Sequence, residues 1–410
     1  MNMGPKIRIR FSQNSSEEFQ RHHPGSLVAM ESRHRAEVQR ETGRAQNATG
    51  SVGRPDINLG ATNDVIGSGL KQAKVLILAY YRSGSTLTGS FFNSLPGVFY
   101  TFEPLHAVFK NADRQRSLKY FSGKVRTAPK WEEISNLSLE ILQAFYSCDL
   151  EALDWHTITS GFGAKSTAYA EYIGCLRSTP LNSNNRENVR RNCLPGLIQR
   201  CKSSKTIVVK TIRVHMTLAE ELLKVIPDLK IVHLMRDPRG MACSLQRKQC
   251  RGSLANVNDM CARLTTDVLR RRALAHVHPE SVCSVKYEDI IQTPLRTVMN
   301  MFKFLGLVFH SDVAKWIFYT LFSGHQSNGP LSITKSNSIA TAYNWTRRIH
   351  WDVVDRYQQT CADFLREEHY PVFYDIVDVR KFRVTERNLT EQVLELQQFW
   401  SQKDGGDLAV

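Results

Sequence analysis

The chain has 410 residues, 42% of them apolar and 23% charged, and its Lys and Arg exceed Asp and Glu by 54 − 39 = 15. This composition excludes a collagenous or wholly disordered chain and leaves room for one large folded domain or two ordinary ones. The basic excess calls for an anionic partner. Residues 1–74 hold 11 basic against 7 acidic side chains, so most of the excess lies in the body of the chain and not in a basic tail.

In chain order, residues 1–70 are rich in Ser, Asn, Gly, Arg and Gln without sustained periodicity and read as a flexible N-terminal stem. A folded domain is expected over 71–380. It opens at KVLILAYY (74–81), a continuous apolar run of strand length and the pattern of a strand buried on both faces. The loop RSGST (82–86) follows, then helical spacing in LTGSFFNSL and a second apolar stretch, VFYTF (98–102). Residues 105–200 fit the alternation poorly and read as a long, mostly helical insertion. TIVVKTI (206–212), LKIVHLM (229–235) and VCSVKY (282–287) are further strands; helices are expected over 214–226, after the loop RDPRG (236–240), and over 294–305 up to Gly306. Alternating strands and helices imply an α/β fold, a single P-loop-like domain with a central parallel sheet flanked by helices. Residues 381–410 are a C-terminal helix and tail, whose Leu389, Val393, Leu396 and Trp400 share one helical face that docks on the same domain.

No run reaches the roughly 18–20 apolar residues of a membrane-spanning helix, and the amino terminus shows no signal-peptide core. Nine cysteines and five Asn-x-Ser/Thr sequons, at Asn14, Asn47, Asn136, Asn344 and Asn388, nevertheless argue for an oxidising lumen. None of the cysteines has metal-ligand spacing with histidine, so no metal is expected. The odd count leaves at least one thiol unpaired within the chain, with connectivity open.

Two loops carry chemistry. At the end of a buried strand, a helix N-terminus presents free N–H groups and partial positive charge, an anion site before any side chain is counted. In residues 82–86, Gly84 lets the backbone curl, Ser85 and Thr86 bring hydroxyls and Arg82 brings a forked cation. A Walker A loop would need Gly-x4-Gly-Lys-Ser/Thr, and its first Gly and its Gly-Lys pair are missing, which disfavours a magnesium-dependent phosphotransferase. The second loop, Arg236-Asp237-Pro238-Arg239-Gly240, also ends a strand, and a helix starting near Pro238 brings Ser244 to an anion held by Arg236. A non-enzymatic polyanion binder would explain the charge but not two strand-end anion loops.

With both loops in view, the chain resembles the sulfotransferase superfamily and, within it, the Golgi carbohydrate 6-O-sulfotransferases acting on galactose, N-acetylglucosamine or N-acetylgalactosamine. The family's 5′-phosphosulfate loop is similar to RSGST, its 3′-phosphate loop to RDPRGMACS (236–244), its FEPL to residues 102–105 and its V-x-YED to residues 285–289; Pro294, the FLG at 304–306, the W-T-R at 345–347 and Cys361 also match. The resemblance implies binding of 3′-phosphoadenylyl sulfate (PAPS) and metal-free sulfuryl transfer to a sugar hydroxyl. Tyr81, Arg82, Ser83, Gly84, Ser85, Thr86 and Leu87 would hold the 5′ end, Arg236 and Ser244 the 3′-phosphate, with Arg247 or Lys248 assisting. Arg82 would neutralise charge on the leaving phosphate.

The acceptor hydroxyl needs a general base, and Glu103, 21 residues after Arg82 and just past VFYTF, returns to the same sheet edge. A structural salt bridge is the competing reading for Glu103, and His106 is the alternative base. Glu288 and Asp289 are assigned to structure. The acceptor is expected to be an acidic or neutral glycan of chondroitin, keratan or N-glycan type, with no nucleic acid partner. Arg270, Arg271 and Arg272, or Arg190, Arg191 and Arg200, are candidates to contact its acidic groups. Family members are single-pass type II proteins of the Golgi lumen, so the expectation is Golgi residence with an anchor missing from this sequence.

Overall fold

A computed structural model describes residues 72–179, 185–245, 250, 256–322, 333–334, 337–382, 391, 394–396 and 398–399. The stem, Arg247, Lys248, Leu389, Val393, Trp400 and the sequons at Asn14, Asn47 and Asn388 lie outside the described residues.

Five strands form the central sheet: β1 (Ala73–Leu78), β2 (Val98–Phe102), β5 (Thr206–Thr211), β6 (Leu229–Met235) and β7 (Val282–Lys286). Their order is β2-β5-β1-β6-β7 and every pairing is parallel. β2 and β5 are buried along their whole length, which is why their sequences run apolar instead of alternating. Lys210 pairs in register with both Phe102 and Ile77, so β2, β5 and β1 end level with one another. The loops that follow these strands therefore share one edge of the sheet, where open α/β sheets bind ligands.

Helices of eight or more residues cover the sheet: α1 (Ser85–Asn93), α2 (His106–Asp113), α3 (Ile134–Tyr146), α4 (Ala170–Ser178), α5 (Leu194–Lys202), α6 (Met216–Val225), α7 (Pro238–Leu245), α8 (Val257–Val277), α9 (Pro294–Leu305), α10 (Ser311–Leu321) and α11 (Trp351–Thr360). α9 starts on Pro294, whose missing N–H costs nothing there, and stops at Gly306, whose φ of 68° needs no Cβ relief. On one face of the sheet Phe92 of α1 stacks on Phe302 of α9 at 5.1 Å within the main apolar core. Leu396 is fully buried in that same core, as expected for the C-terminal stripe. Among the described residues no helix is long and apolar enough to cross a membrane.

The insertion is mostly helical, with one departure. An antiparallel hairpin, β3 (Leu118–Lys119) and β4 (Val125–Arg126), turns through Gly123 at φ 82°. Two-residue strands are too short to print an alternating pattern, so sequence periodicity passes over them. Disulfides Cys148–Cys201 and Cys175–Cys193 brace the insertion, Cys243–Cys250 joins the last turn of α7 to Cys250, and Cys261–Cys361 ties α8 to the end of α11. Cys283 is the thiol left over.

Candidate active site

The loop after β1 is a tight turn closed from inside. Ser83 Oγ donates to the Tyr80 carbonyl at 2.8 Å and accepts from the Tyr80 N–H at 3.2 Å, and the Ser83 N–H donates to the same carbonyl at 3.2 Å, so Ser83 is spent on the turn. Arg82 and Gly84 both sit at positive φ, 65° and 87°. Gly84 is irreplaceable on a second ground: a Cβ there would lie 2.2 Å from the Tyr287 ring, which presses on the loop. α1 begins at Ser85 with no side-chain cap and no acidic residue in its first turn, leaving its amides to an incoming anion. Leu87 packs into the core, so its backbone N–H is what it can offer; Tyr81 and Thr86 are half-buried.

The loop after β6 locks onto the first. Arg236 Nη1 donates to the Arg82 carbonyl at 2.9 Å and Nη2 to the Ala342 carbonyl at 3.2 Å, while the guanidinium stacks 4.5 Å above the Tyr287 ring. Its Nε is buried with no hydrogen-bond partner among the described residues. Arg82 Nε donates to Ser244 Oγ at 3.0 Å, so Arg82 touches Ser244 through its side chain and Arg236 through its carbonyl. Pro238 opens α7 and puts Ser244 beyond its first turn. The other charges of this loop are structural. Asp237 accepts from the Arg239 N–H, Nε and Nη2, and the fully buried Arg239 lies between the Trp345 and Phe373 rings. Glu288 accepts from the Asp237 N–H and from the Tyr370 hydroxyl, in keeping with a structural part. Burial, reinforced by Asp237 and opposed by Arg236, pushes its carboxyl up to about 7.

Glu103 follows β2 at φ 52° and is buried. Oε1 accepts from Lys210 Nζ at 2.6 Å, and Oε2 accepts from Arg213 Nη1 and, at 3.5 Å, from the Ile212 N–H. Burial alone would raise its pKa, but Lys210 and Arg213 outweigh it and hold the carboxyl below its usual range, so Glu103 is ionised at neutral pH. Burial acts the other way on Lys210, lowering its pKa against the pull of the carboxylate, and its ammonium lies 4.3 Å from the Phe102 ring centroid. Lys210 and Arg213 were not among the expected site residues. Their signal was present: a lysine inside TIVVKTI, an otherwise apolar doubly buried strand, has to be paired.

β2 and β1, the strands that lead to Glu103 and to the Arg82 loop, are separated by β5, about 10 Å apart at the usual strand spacing, and Lys210 is on the strand between them. Glu103 lines a cleft with Phe102, Thr157, Ser160, Phe162 and Tyr169. His106 packs edge-on against Phe162 at 4.4 Å, and burial, with Arg213, Lys110 and Arg114 nearby, pushes it down to about 3. That makes it a far weaker proton acceptor than a histidine tuned to neutral pH.

Beneath the edge lies a buried polar group that sequence reading also passed over. Asp267 accepts from the Tyr80 hydroxyl at 3.0 Å and from the Met216 N–H at 2.7 Å, and the Tyr80 oxygen lies 2.7 Å from His233 Nε2. Arg263, 3.6 Å from Asp267, donates to the carbonyls of Ile212 and Val214 and so fixes the segment carrying Arg213.

The arginines expected to meet an acidic acceptor are mostly engaged already. Arg270 pairs with Glu220, Arg271 with Glu368, Arg272 with Glu367, and Arg190 and Arg191 with Glu187.

Comparison with known proteins agrees with this geometry. Residues 74–311 match the model of the sulfotransferase family. Carbohydrate sulfotransferase 1 of Danio rerio is 27% identical over 341 residues, covering 73% of this chain and 78% of that protein. Carbohydrate sulfotransferase 3 of Homo sapiens is 24% identical, covering 73% and 68%. Among solved structures, the sulfotransferase domain of a Synechococcus olefin synthase aligns at 16% identity and a TM-score of 0.42 over 75% of this chain and 98% of that one. A mouse sulfotransferase complexed with PAP aligns at 11% identity and a TM-score of 0.37 over 73% and 89%. With more than half of the chain inside the family model, and both strand-end loops within the matched span, this protein belongs to the sulfotransferase family and is a transferase.

Proposed function

We propose that the chain transfers the sulfuryl group of PAPS to the 6-hydroxyl of N-acetylgalactosamine, galactose or N-acetylglucosamine in a glycosaminoglycan or glycoprotein glycan. The observation that carries this reading is the junction of Arg82, Arg236 and Ser244 at a level sheet edge, with an ionised Glu103 on the same edge. The residues present fit a nucleotide with anions at both ends. Gly84 leaves room against Tyr287, the first turn of α1 carries no acidic side chain, and Arg236 has a buried Nε in want of an acceptor.

In this reading the backbone of residues 81–87, with Ser85 and Thr86, holds the 5′ end and Arg82 offsets the charge that develops on the phosphate oxygen as the S–O bond breaks. Arg236 and Ser244 hold the 3′-phosphate, assisted by Arg247 or Lys248. Glu103 Oε2 takes the proton of the acceptor hydroxyl as its oxygen bonds to sulfur, while Lys210 keeps the carboxylate charged and aimed. No resident metal enters this scheme. The names of the relatives support a carbohydrate acceptor. Four disulfides and the exposed sequon residues Asn136 and Asn344 support a lumenal, Golgi setting for the 71–380 domain and its stem.

The test is transfer of labelled sulfate from PAPS by the full chain made in a secretory host, offered chondroitin, desulfated keratan sulfate and N-acetylglucosamine-terminated oligosaccharides. Transfer to at least one, lost in Glu103→Gln with donor binding retained, supports the reading; a chain that does not bind the donor overturns it.

A further inference from the structure

The segment from Lys110 to Lys130 holds seven basic side chains and one acidic one, Asp113. It starts on α2, seven residues after Glu103, and runs through the β3–β4 hairpin that sequence periodicity passed over. Net charge alone would be a solvated surface, but two structural facts separate this segment from the other basic runs.

The first is pairing. The arginines of α8 and those at 190 and 191 meet carboxylates, whereas Arg116, Lys119, Lys124 and Lys130 have no acidic partner among the described residues. Arg116, Lys124 and Lys130 are exposed and Lys119 half-buried. A folded chain that leaves like charges side by side incurs repulsion unless an anion relieves it.

The second is placement. The hairpin is seated on the wall of the Glu103 cleft: Phe121 packs edge-on against Trp155 at 5.9 Å and Tyr120 bridges to Asp154. Asp154 caps the turn carrying Thr157, which lines the cleft with Glu103. Arg116 and Lys119 act on His156 in that turn; burial, joined by Lys119, Arg116 and Arg186, holds its pKa below the usual value despite Asp154. Lys110 and Arg114 act likewise on His106, which packs against the cleft residue Phe162. The positive field of the segment therefore converges on the place where the acceptor has to enter.

We propose that Arg116, Lys119, Lys124 and Lys130 form a rail for the non-reacting part of the acceptor, and that the acceptor is a glycan chain already bearing carboxylates or sulfates. This deepens the proposed function and rests on the acceptor entering beside Glu103. Spaced single cations on a hairpin suit a linear polyanion with one charge every sugar or two, held by sequence-independent contacts that salt weakens.

The experiment compares the wild-type chain with the triple variant Arg116→Ser, Lys119→Ser, Lys124→Ser, two exposed residues and one half-buried. Three quantities are read: KM for chondroitin sulfate and for a neutral N-acetylglucosamine-terminated oligosaccharide, the salt concentration that elutes each protein from immobilised chondroitin sulfate, and binding of adenosine 3′,5′-bisphosphate as a check of folding. The expected result is a KM for chondroitin sulfate raised about tenfold at low salt, earlier elution, and unchanged neutral-acceptor kinetics and nucleotide binding. Restoring charge with Arg116→Lys, Lys119→Arg, Lys124→Arg should restore elution. Equal elution of wild type and triple variant overturns the rail while leaving transfer intact. Earlier elution of the variant from a wild type that transfers to neither acceptor upholds the surface and sinks the transfer reading instead. Tighter retention on an RNA homopolymer than on chondroitin sulfate, lost in the variant, overturns the glycan as occupant.

Discussion

Arg236 reaches across the sheet edge to the Arg82 carbonyl at 2.9 Å, joining two loops that lie 154 residues apart in sequence. The bond is between one candidate donor-binding residue and the backbone of the other, so the two loops are coupled. Arg236→Lys retains the charge and loses the fork that serves Arg82, Ala342 and the Tyr287 face together. With charge-assisted hydrogen bonds contributing about 1.5–3 kcal/mol each, binding of adenosine 3′,5′-bisphosphate should weaken at least tenfold by calorimetry. Wild-type affinity in this variant would detach Arg236 from the donor site.

Glu103 and Lys210 predict a pH effect whose sign is fixed. Lys210 and Arg213 hold the carboxyl below its usual range, so a base at this position works above that pKa and fails as pH falls through it. Lys210→Met removes the cation that lowers the carboxyl pKa most, raises that pKa and should move the acid limb of the kcat profile to higher pH. Glu103→Gln, whose single amide oxygen can accept from only one of the two cations, should lower kcat by about 10²–10⁴-fold with donor affinity unchanged. An acid limb that stays in place in Lys210→Met would assign Glu103 to structure.

The strands, their parallel pairing and the two strand-end loops were legible because the signals are local. Doubly buried strands print as apolar runs such as LKIVHLM, and positive-φ turns print as glycine, as at Gly84 and Gly306. The electrostatic core of the site was less legible. Glu103 shows its position in sequence, but what fixes its charge is Lys210 and Arg213, more than 100 residues away, and a partner brought by parallel pairing leaves no short-range trace. Asp267 is hidden for the same reason: an acidic residue on a long helix reads as solvated face until the fold turns it under β1. The arginines of α8 were legible as charge and misleading as function, because their carboxylate partners come from α6 and from residues 367 and 368.

Asp267 should act as a positioning residue. It anchors Tyr80, the residue before the donor loop, and stands beside the Arg263 that clamps the segment of Arg213. Asp267→Asn keeps the shape and removes the charge. Loosening Arg213 from Glu103 should raise the carboxyl pKa, so the acid limb of kcat should shift upward while KM for the acceptor stays within about twofold. A lower melting temperature with an unmoved pH profile would make Asp267 a stabilising group and nothing more.

Glu288 sets a stability dependence that can be read without any substrate. Burial raises its pKa from 4.5 to about 7 in the folded chain, so the folded state holds the proton more tightly than the unfolded state does. The stabilising contribution is therefore complete below about pH 4.5 and declines as pH rises through 7, by about 3 kcal/mol in all at 1.36 kcal/mol per pKa unit. Glu288→Gln keeps an oxygen for the Asp237 N–H and an amide for the Tyr370 oxygen without the ionisation. Between pH 5 and 8.5 wild type should lose stability relative to Glu288→Gln in parallel denaturant titrations. The gap should open between about pH 4.5 and 7 and level off above pH 8. Curves that run parallel across that window would mean Glu288 is already ionised at pH 5, with Arg236 as the partner that keeps it so.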